Sequence, residues 1–305
     1  MLCSLSQQFP AFVEGFLDQS RQLRRRFREE SVTDILMGGL ITAGGGRIIV
    51  DFPDEPATGA DMEWNFVNPY KGKFFRILLQ AKQCFGKGNN WKRHNYRHIL
   101  HTTGNKLTPQ AEILCNTART EQSTYPLYIL YNPKKTCLAA RKDGATNVVG
   151  ACLADGYKIE RLVKNAKGRA LRTRNKNLRT IAPLLFPLSN LFCPPNILPL
   201  GPFARQWSMF PDPIIIGRKD GESVVGIPIP PTPQDIRQRI VDIRGAQALE
   251  QDDFADIPGV PEVSDRIPKD ILSRIRERGF SRTYESGLQR WRVTFVSGSP
   301  RDAEE

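Results

Sequence analysis

The sequence has 305 residues, 40% of them hydrophobic, so it can bury a core and is not a wholly disordered chain. It carries 44 Lys and Arg residues against 32 Asp and Glu, which gives a formal net charge of +12. A basic balance of this size favours polyanionic partners, with nucleic acid first and an anionic membrane surface second.

Two amphipathic helices are predicted at the start of the chain. Apolar residues recur at helical spacing through residues 10–27 and again through residues 29–41, and a run of glycines from Gly44 to Gly46 ends the second helix. Residues 1–27 contain no uninterrupted apolar stretch and place their arginines after the apolar residues. We therefore predict neither a signal peptide nor a membrane span, and we expect a cytoplasmic protein.

Three strands are predicted next. Residues 47–52 indicate the first strand, and residues 53–59 indicate a turn. The second strand, 60–67, and the third, 74–82, are joined by a hairpin turn. The third strand is apolar on both faces in its middle, which predicts a position inside the sheet.

The remainder of the core is predicted as a helix, a strand and a further helix. Residues 108–118 form a helix after a Thr-Pro start, 125–132 a buried strand, and 145–165 a strand or turn that leads into a helix. This order predicts an α/β (α+β) fold in which helices flank one central mixed sheet.

Past about residue 183 the composition changes. Residues 182–213 are dense in proline, which excludes long helices and central strands there. Short helices are expected at 234–250 and 268–279. We divide the chain into a core with an N-terminal helix, residues 1–195, and a proline-rich connector with a short-helix extension, residues 196–305.

Six cysteines are scattered without a Cys-x-x-Cys pair, and no zinc-finger spacing is present. A chain of this length with a real core needs no disulfide framework, so we expect most of the six to be small buried hydrophobes. They are Cys3, Cys84, Cys115, Cys137, Cys152 and Cys193.

Acidic and basic side chains meet where the second strand begins and the third ends. Asp61 lies on the second strand, and period two puts Gln80 and Lys82 on one face of the third. A carboxylate and an amide oxygen suit Mg²⁺ or Mn²⁺, which lowers the pKa of a bound water. Lys82 can orient that water or stabilise charge on a phosphate. The alternative is a plain Asp61–Lys82 ion pair, or a lysine whose charge simply reaches solvent.

The motif D61…Q80-A81-K82 resembles the core of the PD-(D/E)XK nuclease superfamily, in the variant with Gln before the lysine. The phrase ILLQAKQ is similar to Mrr-like restriction endonucleases. EESVTD, TGADMEW, LLQAKQ and PLYILYN together resemble an uncharacterised bacterial family near this superfamily. The resemblance covers roughly residues 25–195 and implies a restriction-endonuclease-like fold. It also implies a metal-dependent nuclease, acting on DNA, with a role in restriction or phage defence.

The resemblance also assigns roles to individual residues. Asp61 matches the metal-binding aspartate, Gln80 the second ligand and Lys82 the catalytic lysine. An acid of the preceding helix, Glu29 or Glu30, matches the helix glutamate that completes the metal shell. Ala60 stands where the superfamily's motif has proline. A homodimer is a further implication, because many nucleases of this superfamily dimerise to cut two strands.

Two more residues are assigned on the same resemblance. Glu63 belongs to the motif of the narrower family and is predicted as a further ligand. Gln110, which opens the next helix, matches a supporting glutamine found in parts of the superfamily.

Basic residues are densest in residues 158–179, where nine cations stand against a single acid, Glu160. Such a run can follow a phosphate backbone, although a solvated basic face is the alternative. The cations that we predict to bind nucleic acid are Arg93, Lys164, Lys167, Arg169, Arg172, Arg174 and Lys176.

All three histidines fall between residues 91 and 101. His94 and His98, at i and i+4, could hold zinc or copper on a helix. Neighbouring arginines repel cations, so we favour a basic substrate loop. Its Trp91 and Tyr96 either stack on bases or anchor the packing.

Two other function classes stay open. One is a nucleic-acid-binding module of the same fold that has lost turnover. The other is an interaction protein that uses the proline-rich segment as its docking surface. Metal-dependent cleavage would separate the nuclease from both.

Overall fold

The structure is a computed structural model, and it describes most of the chain. The described residues are 2–20, 27–44, 46–51, 58–86, 88–103, 108–193, 215–219, 222–225, 229–248, 256–277 and 291–299. Within them, no helix combines the length and the apolar character needed to cross a membrane.

The described part of the chain contains both helices and strands. The helices are α1 (Leu2–Ser20), α2 (Glu29–Ala43), α3 (Gln110–Thr120), α4 (Lys134–Lys142), α5 (Gly156–Lys164), α6 (Gly168–Asn175), α7 (Leu178–Ile181), α8 (Ser189–Phe192), α9 (Pro233–Ala248) and α10 (Lys269–Glu277). The strands are β1 (Ile48–Asp51), β2 (Met62–Asn68), β3 (Lys73–Gln83), β4 (Thr102–Thr103), β5 (Thr108–Pro109), β6 (Thr124–Tyr131), β7 (Ala151–Asp155), β8 (Leu185–Pro187), β9 (Ile215–Lys219), β10 (Glu222–Val225) and β11 (Trp291–Val296).

Seven strands form the central sheet, in the order β1-β11-β2-β3-β6-β7-β8. β11 runs parallel to β2 and β3 runs parallel to β6, whereas the other neighbours are antiparallel. β3 lies between β2 and β6, as its two apolar faces predict. The predicted fold class, an α/β core with helices around a central mixed sheet, is confirmed, and it is consistent with a restriction-endonuclease-like fold.

The alternation of side chains along β3 divides the core into two layers. Phe75, Ile77 and Leu79 face one layer, which contains the apolar residues of α1, α2, α8 and α9. Leu78 faces the other layer, together with apolar residues of α3, α5 and α7. Because successive strand residues point to opposite faces, Gln80 and Lys82 lie on the same face as Leu78.

Several predicted elements have different limits in the structure. α1 begins at Leu2, eight residues before the predicted start, because Leu2 and Phe9 are buried with the rest of its apolar face. α4, the 3₁₀ turns and the short strand β8 were not predicted. The predicted turn at 53–59, the proline-rich stretch beyond residue 193 and the end of the chain lie largely or wholly outside the described residues.

The central sheet crosses the domain boundary that we placed at residue 195. β11 inserts between β1 and β2, and its register pairs Trp291 with Met62 and Val296 with Val67. The buried residues Ile236 and Ile240 of α9 join the same core layer as α1 and α2. Parts of the predicted C-terminal extension therefore belong to the core.

The cysteines are one point on which our expectation needs correction. Cys3 of α1 and Cys193, the residue after α8, form a disulfide in the structure. The other four are buried free thiols, as predicted. A pair separated by 190 residues has no signal in the local sequence, because only the packing of α1 against α8 brings the two together.

Candidate active site

The candidate site forms where β2 begins and β3 ends. Asp61 directly precedes β2, and its backbone N–H donates to the carbonyl of Leu79 at 2.8 Å. Gln80 and Lys82 follow two positions apart on β3, so both lie on the layer that α3 and α5 cover. The hairpin thus brings Asp61 beside the end of β3.

Asp61 is hydrogen-bonded to two adjacent residues of β3, Gln80 and Ala81. Asp61 Oδ2 accepts from the backbone N–H of Ala81 at 2.9 Å and from Nε2 of Gln80. With Nε2 turned toward Asp61, Oε1 of Gln80 is buried and has no hydrogen-bond partner among the described residues. A buried acceptor without a partner is costly. Half a turn of the amide would place Oε1 beside the Asp61 carboxylate, an arrangement that a cation between them would stabilise.

Helix α2 brings Glu29 to the same corner of the sheet. Its carboxylate is hydrogen-bonded to the backbone of Gln83, the last residue of β3. Burial raises the pKa of Glu29, the Lys82 ammonium opposes that rise, and the Asp61 carboxylate adds to it. Glu30, by contrast, is exposed to solvent. Of the two helix glutamates that the sequence left open, Glu29 is the one held against the end of β3.

Lys82 supplies the positive charge of this corner. The residue is only 4% exposed. Burial also raises the pKa of Asp61, and the Lys82 ammonium is the largest influence that lowers it again. The charges of the two carboxylates therefore compensate part of the charge of this buried ammonium.

The donor set at this corner fits a magnesium ion. Asp61 and Glu29 offer carboxylate oxygens, and Gln80 offers an amide oxygen that lacks a partner among the described residues. Magnesium prefers oxygen ligands and keeps several waters, so two or three protein oxygens suffice. No group of three or more His, Cys, Asp and Glu side chains in the described ranges could hold a metal ion. The amide oxygen of Gln80 is therefore needed to complete the set.

Glu63 lies on the same face of the sheet, but its carboxylate is committed elsewhere. Its Oε1 is 3.3 Å from Nε of Arg76 and 3.1 Å from Nε of Arg292, and Nδ2 of Asn65 donates to the same oxygen at 2.8 Å. Glu63 is fully buried among these groups. The sequence predicts Glu63 as a further metal ligand. In the structure its carboxylate pairs with two arginines, one of them on β11. We therefore leave Glu63 out of the proposed set of metal ligands.

The polar segment after β3 folds back onto that strand. Phe85 and Asn95 exchange backbone hydrogen bonds of 2.8 and 2.7 Å. The N–H of Tyr96 donates to the carbonyl of Lys176 at 3.0 Å. These bonds attach the basic residues that follow α5 to the end of the strand that carries Lys82.

Three of the predicted nucleic-acid-binding cations surround a surface groove beside α6. Arg169, Arg172 and Lys176 line this groove, which has a volume of about 530 Å³. Arg172 and Lys176 also line a second cavity of about 300 Å³. The other residues that line it are Arg97, His98, Leu100, His101 and Thr102. The two hollows share Arg172 and Lys176, so they form one basic surface.

The other four predicted cations have different surroundings: three are exposed, and one is paired with an acid. Arg174 on α6 and Lys167, which directly precedes that helix, are exposed. Arg93 is exposed in the 3₁₀ turn at Trp91–Arg93. Lys164 pairs with Glu160 at 2.8 Å, so part of its charge is compensated within the protein.

The histidine segment is not a helix, so the i, i+4 zinc arrangement does not form. Trp91–Arg93 and Arg97–Leu100 are two separate 3₁₀ turns. His94 is buried, with Nδ1 at 2.8 Å from the Thr136 hydroxyl and Nε2 at 3.2 Å from the carbonyl of Gly88. It is therefore a packing residue.

Both aromatic residues of this segment are also packing anchors. Nε1 of Trp91 donates to Asp143 at 3.0 Å, and the hydroxyl of Tyr96 donates to Asn132 at 2.7 Å. Both rings are buried, so neither offers a face on which a base could stack.

Gln110 begins α3, as predicted. Its backbone N–H donates to the carbonyl of His101 at 2.9 Å, and its Oε1 is buried with no hydrogen-bond partner among the described residues. Its supporting role stays a prediction.

Arg97 belongs to the predicted basic substrate loop, although it was not among the cations predicted to bind nucleic acid, and it lines the smaller basic cavity. Sequence reasoning missed one further contributor. The N–H of Trp291 donates to the carbonyl of Asp61 at 3.2 Å, and no local pattern indicates a contact across so many residues.

The chain belongs to a family described as "Family of unknown function (DUF6615)", which matches residues 2–302. Comparison with curated proteins and with solved structures found no match.

Proposed function

We propose that this protein is a metal-dependent nuclease that hydrolyses phosphodiester bonds, with DNA as its substrate and the cytoplasm as its location. The observation that carries the proposal is the meeting of Asp61, Gln80, Lys82 and Glu29 at the end of β3. Restriction or phage defence as its biological setting rests on the sequence resemblance alone.

Each group in this corner has a defined part in the proposed reaction. Asp61, Glu29 and the Oε1 atom of Gln80 hold Mg²⁺ or Mn²⁺. When bound, the metal supplies Lewis-acid chemistry, which lowers the pKa of a water and stabilises charge on the phosphate. Lys82 places a positive charge next to the same phosphate and stabilises the negative charge that builds up during attack. The basic surface around α6 binds the rest of the strand through its phosphates.

The deciding experiment is incubation of plasmid DNA with the purified protein in Mg²⁺ or Mn²⁺, beside EDTA and a Lys82→Ala variant. A matched control is Lys71→Ala, which removes an exposed lysine from the hairpin turn at the far end of β3. We expect nicking or linearisation by wild type and by the control, and none with EDTA or Lys82→Ala. Cleavage by Lys82→Ala at the wild-type rate would overturn the proposal.

A second candidate function is nucleic-acid binding without turnover. The observation in its favour is that the corner has Gln80 where an acid would strengthen metal binding, while the basic surface does not depend on a metal. This alternative predicts that wild type and Lys82→Ala are equally inert and bind DNA equally, with an affinity that falls steeply with salt.

A further inference from the structure

A second concentration of positive charge adjoins the proposed hydrolytic centre. It is a cavity of about 300 Å³ lined by two arginines, two histidines and a lysine: Arg97, His98, His101, Arg172 and Lys176. Leu100 and Thr102 complete the lining, and none of these described lining residues is acidic. A concave surface of one charge sign concentrates the electric field and attracts anions.

One wall of the cavity is anchored to the end of β3. Phe85 lies three residues beyond Lys82 and is paired through its backbone with Asn95. Its ring centroid lies 5.3 Å from the guanidinium carbon of Arg97 and 6.2 Å from the centroid of the His98 ring. These contacts orient the two basic side chains before any ligand arrives.

The opposite wall comes from α6 and the turn that follows it. Arg172 lies on α6, and Lys176 is the residue at which that helix ends. The carbonyl of Lys176 accepts from the N–H of Tyr96, and the N–H of Leu178 donates to the carbonyl of His94 at 2.7 Å. Two backbone hydrogen bonds therefore hold together the two segments that line the cavity.

The cavity adjoins the segment that continues β3, because Phe85, three residues beyond Lys82, has its ring centroid 6.2 Å from that of His98. Burial lowers the pKa of His98, and the nearby Lys82 ammonium lowers it further, while Glu30 acts in the opposite direction. The ring contact with Phe85, together with this effect of the Lys82 charge, places His98 near the end of β3. Successive phosphates along one strand advance by about 3.4 Å of helix axis, so a strand with one phosphate at Lys82 brings another within reach of the cavity.

We propose that this cavity is a second phosphate subsite, which binds a backbone phosphate of the bound strand beside the phosphate that is cut. The inference rests on the proposed function in taking a phosphodiester chain as the ligand. Arg172 and Lys176 neutralise the phosphate, and ring N–H groups of His98 and His101 donate to its free oxygens. Arg97, His98 and His101 are then substrate-positioning residues.

The three histidines of the chain allow a direct test by proton–carbon NMR of the imidazole groups. The probe is the dinucleotide pTpT, which carries two phosphates, added in EDTA so that nothing is cleaved. We expect the His98 and His101 signals to shift and saturate, while the signal of buried His94 stays in place. Arg172→Ala should weaken binding about tenfold, since it removes one charge-assisted hydrogen-bonding group.

The matched control is Arg266→Ala, which removes an exposed arginine next to the bridge between Ser264 and Phe74, at the hairpin end of β3. It should leave the affinity unchanged. The subsite is overturned if the His98 and His101 signals do not move, or if the two variants weaken binding equally.

Failure of this test is distinct from failure of the proposed function, because no cleavage is measured. Shifted signals in a protein that never cuts DNA would support the subsite and overturn the nuclease. Cleavage that depends on Lys82, with unmoved histidine signals, would overturn the subsite alone.

Discussion

The backbone N–H of Trp291 donates a hydrogen bond to the carbonyl of Asp61 at 3.2 Å. Trp291 begins β11, so the strand most distant in sequence holds the backbone of the aspartate that we assign to the metal. The indole Nε1 of Trp291 also donates to Asp34 of α2, at 3.1 Å. β11 thereby joins the hairpin that carries Asp61 to the helix that carries Glu29.

We expect substitution of Glu29 and substitution of Glu30 to have very different effects on the cleavage rate. Glu29→Gln should lower metal-dependent cleavage by about 100-fold, because it removes a carboxylate from the metal shell. Glu30→Gln should remain within a few-fold of wild type, since Glu30 is exposed. The measurement is the initial rate of plasmid nicking against Mg²⁺ concentration. Equal loss of cleavage activity in both variants would contradict the assignment of Glu29 as the metal ligand.

Glu63→Gln is expected to affect stability. Removal of the charge weakens the pairing of Arg76 and Arg292 at this buried position but leaves Arg76 with Glu121 and Arg292 with Asp270, so we expect a cost of about 1.5–3 kcal/mol in the free energy of unfolding. Urea denaturation in EDTA measures this, with Glu30→Gln as a control that changes stability by no more than about 0.5 kcal/mol. Unchanged stability with weakened Mg²⁺ binding would instead make Glu63 a metal ligand.

The raised pKa values of Asp61 and Glu29 predict how stability depends on pH in the absence of metal. The folded state holds these two protons more tightly than the unfolded chain, so the free energy of unfolding falls as pH rises from the ordinary carboxyl pKa to the raised one. Above the raised pKa both acids are ionised in the folded and the unfolded state, and the free energy of unfolding is lowered by the full cost of burying the two charges.

Glu29→Gln removes part of this cost. In EDTA near neutral pH the variant should be more stable than wild type by about 1 kcal/mol, or about 2–4 °C in Tm. The difference should vanish below the ordinary carboxyl pKa, where both acids are protonated in either state. Thermal melts across the acid range measure it, and Mg²⁺ should then stabilise wild type alone. A variant less stable than wild type at neutral pH would contradict this.

The disulfide between Cys3 and Cys193 should stabilise the oxidised protein. It closes a loop across 190 residues, and loss of such a bond costs roughly 2–5 kcal/mol. We expect Tm to fall on addition of reductant or in Cys3→Ser, and thiol titration of the denatured oxidised protein to find the four remaining cysteines. A reducing cytoplasm would keep the pair as thiols. Six titratable thiols in protein purified without reductant would refute the bond.

Much of the core could be predicted from the sequence because its signals are local. The alternation through β2 and β3 identifies both strands, and the short turn between them makes them a hairpin. The same period places Gln80 and Lys82 on one face, with Asp61 beside them. Helix α2 follows from its apolar spacing and from the glycine at its end.

Local sequence patterns were therefore sufficient to identify the hairpin, its faces and the candidate residues at its open end. The neighbours of these residues are set by the packing of the whole fold. It holds Glu29 against the end of β3 and leaves Glu30 exposed, it places Glu63 between two arginines, and it inserts β11 between β1 and β2. The physical reason is range: periodicity acts over a few residues, whereas partners across the sheet are selected by burial and pairing of the whole chain.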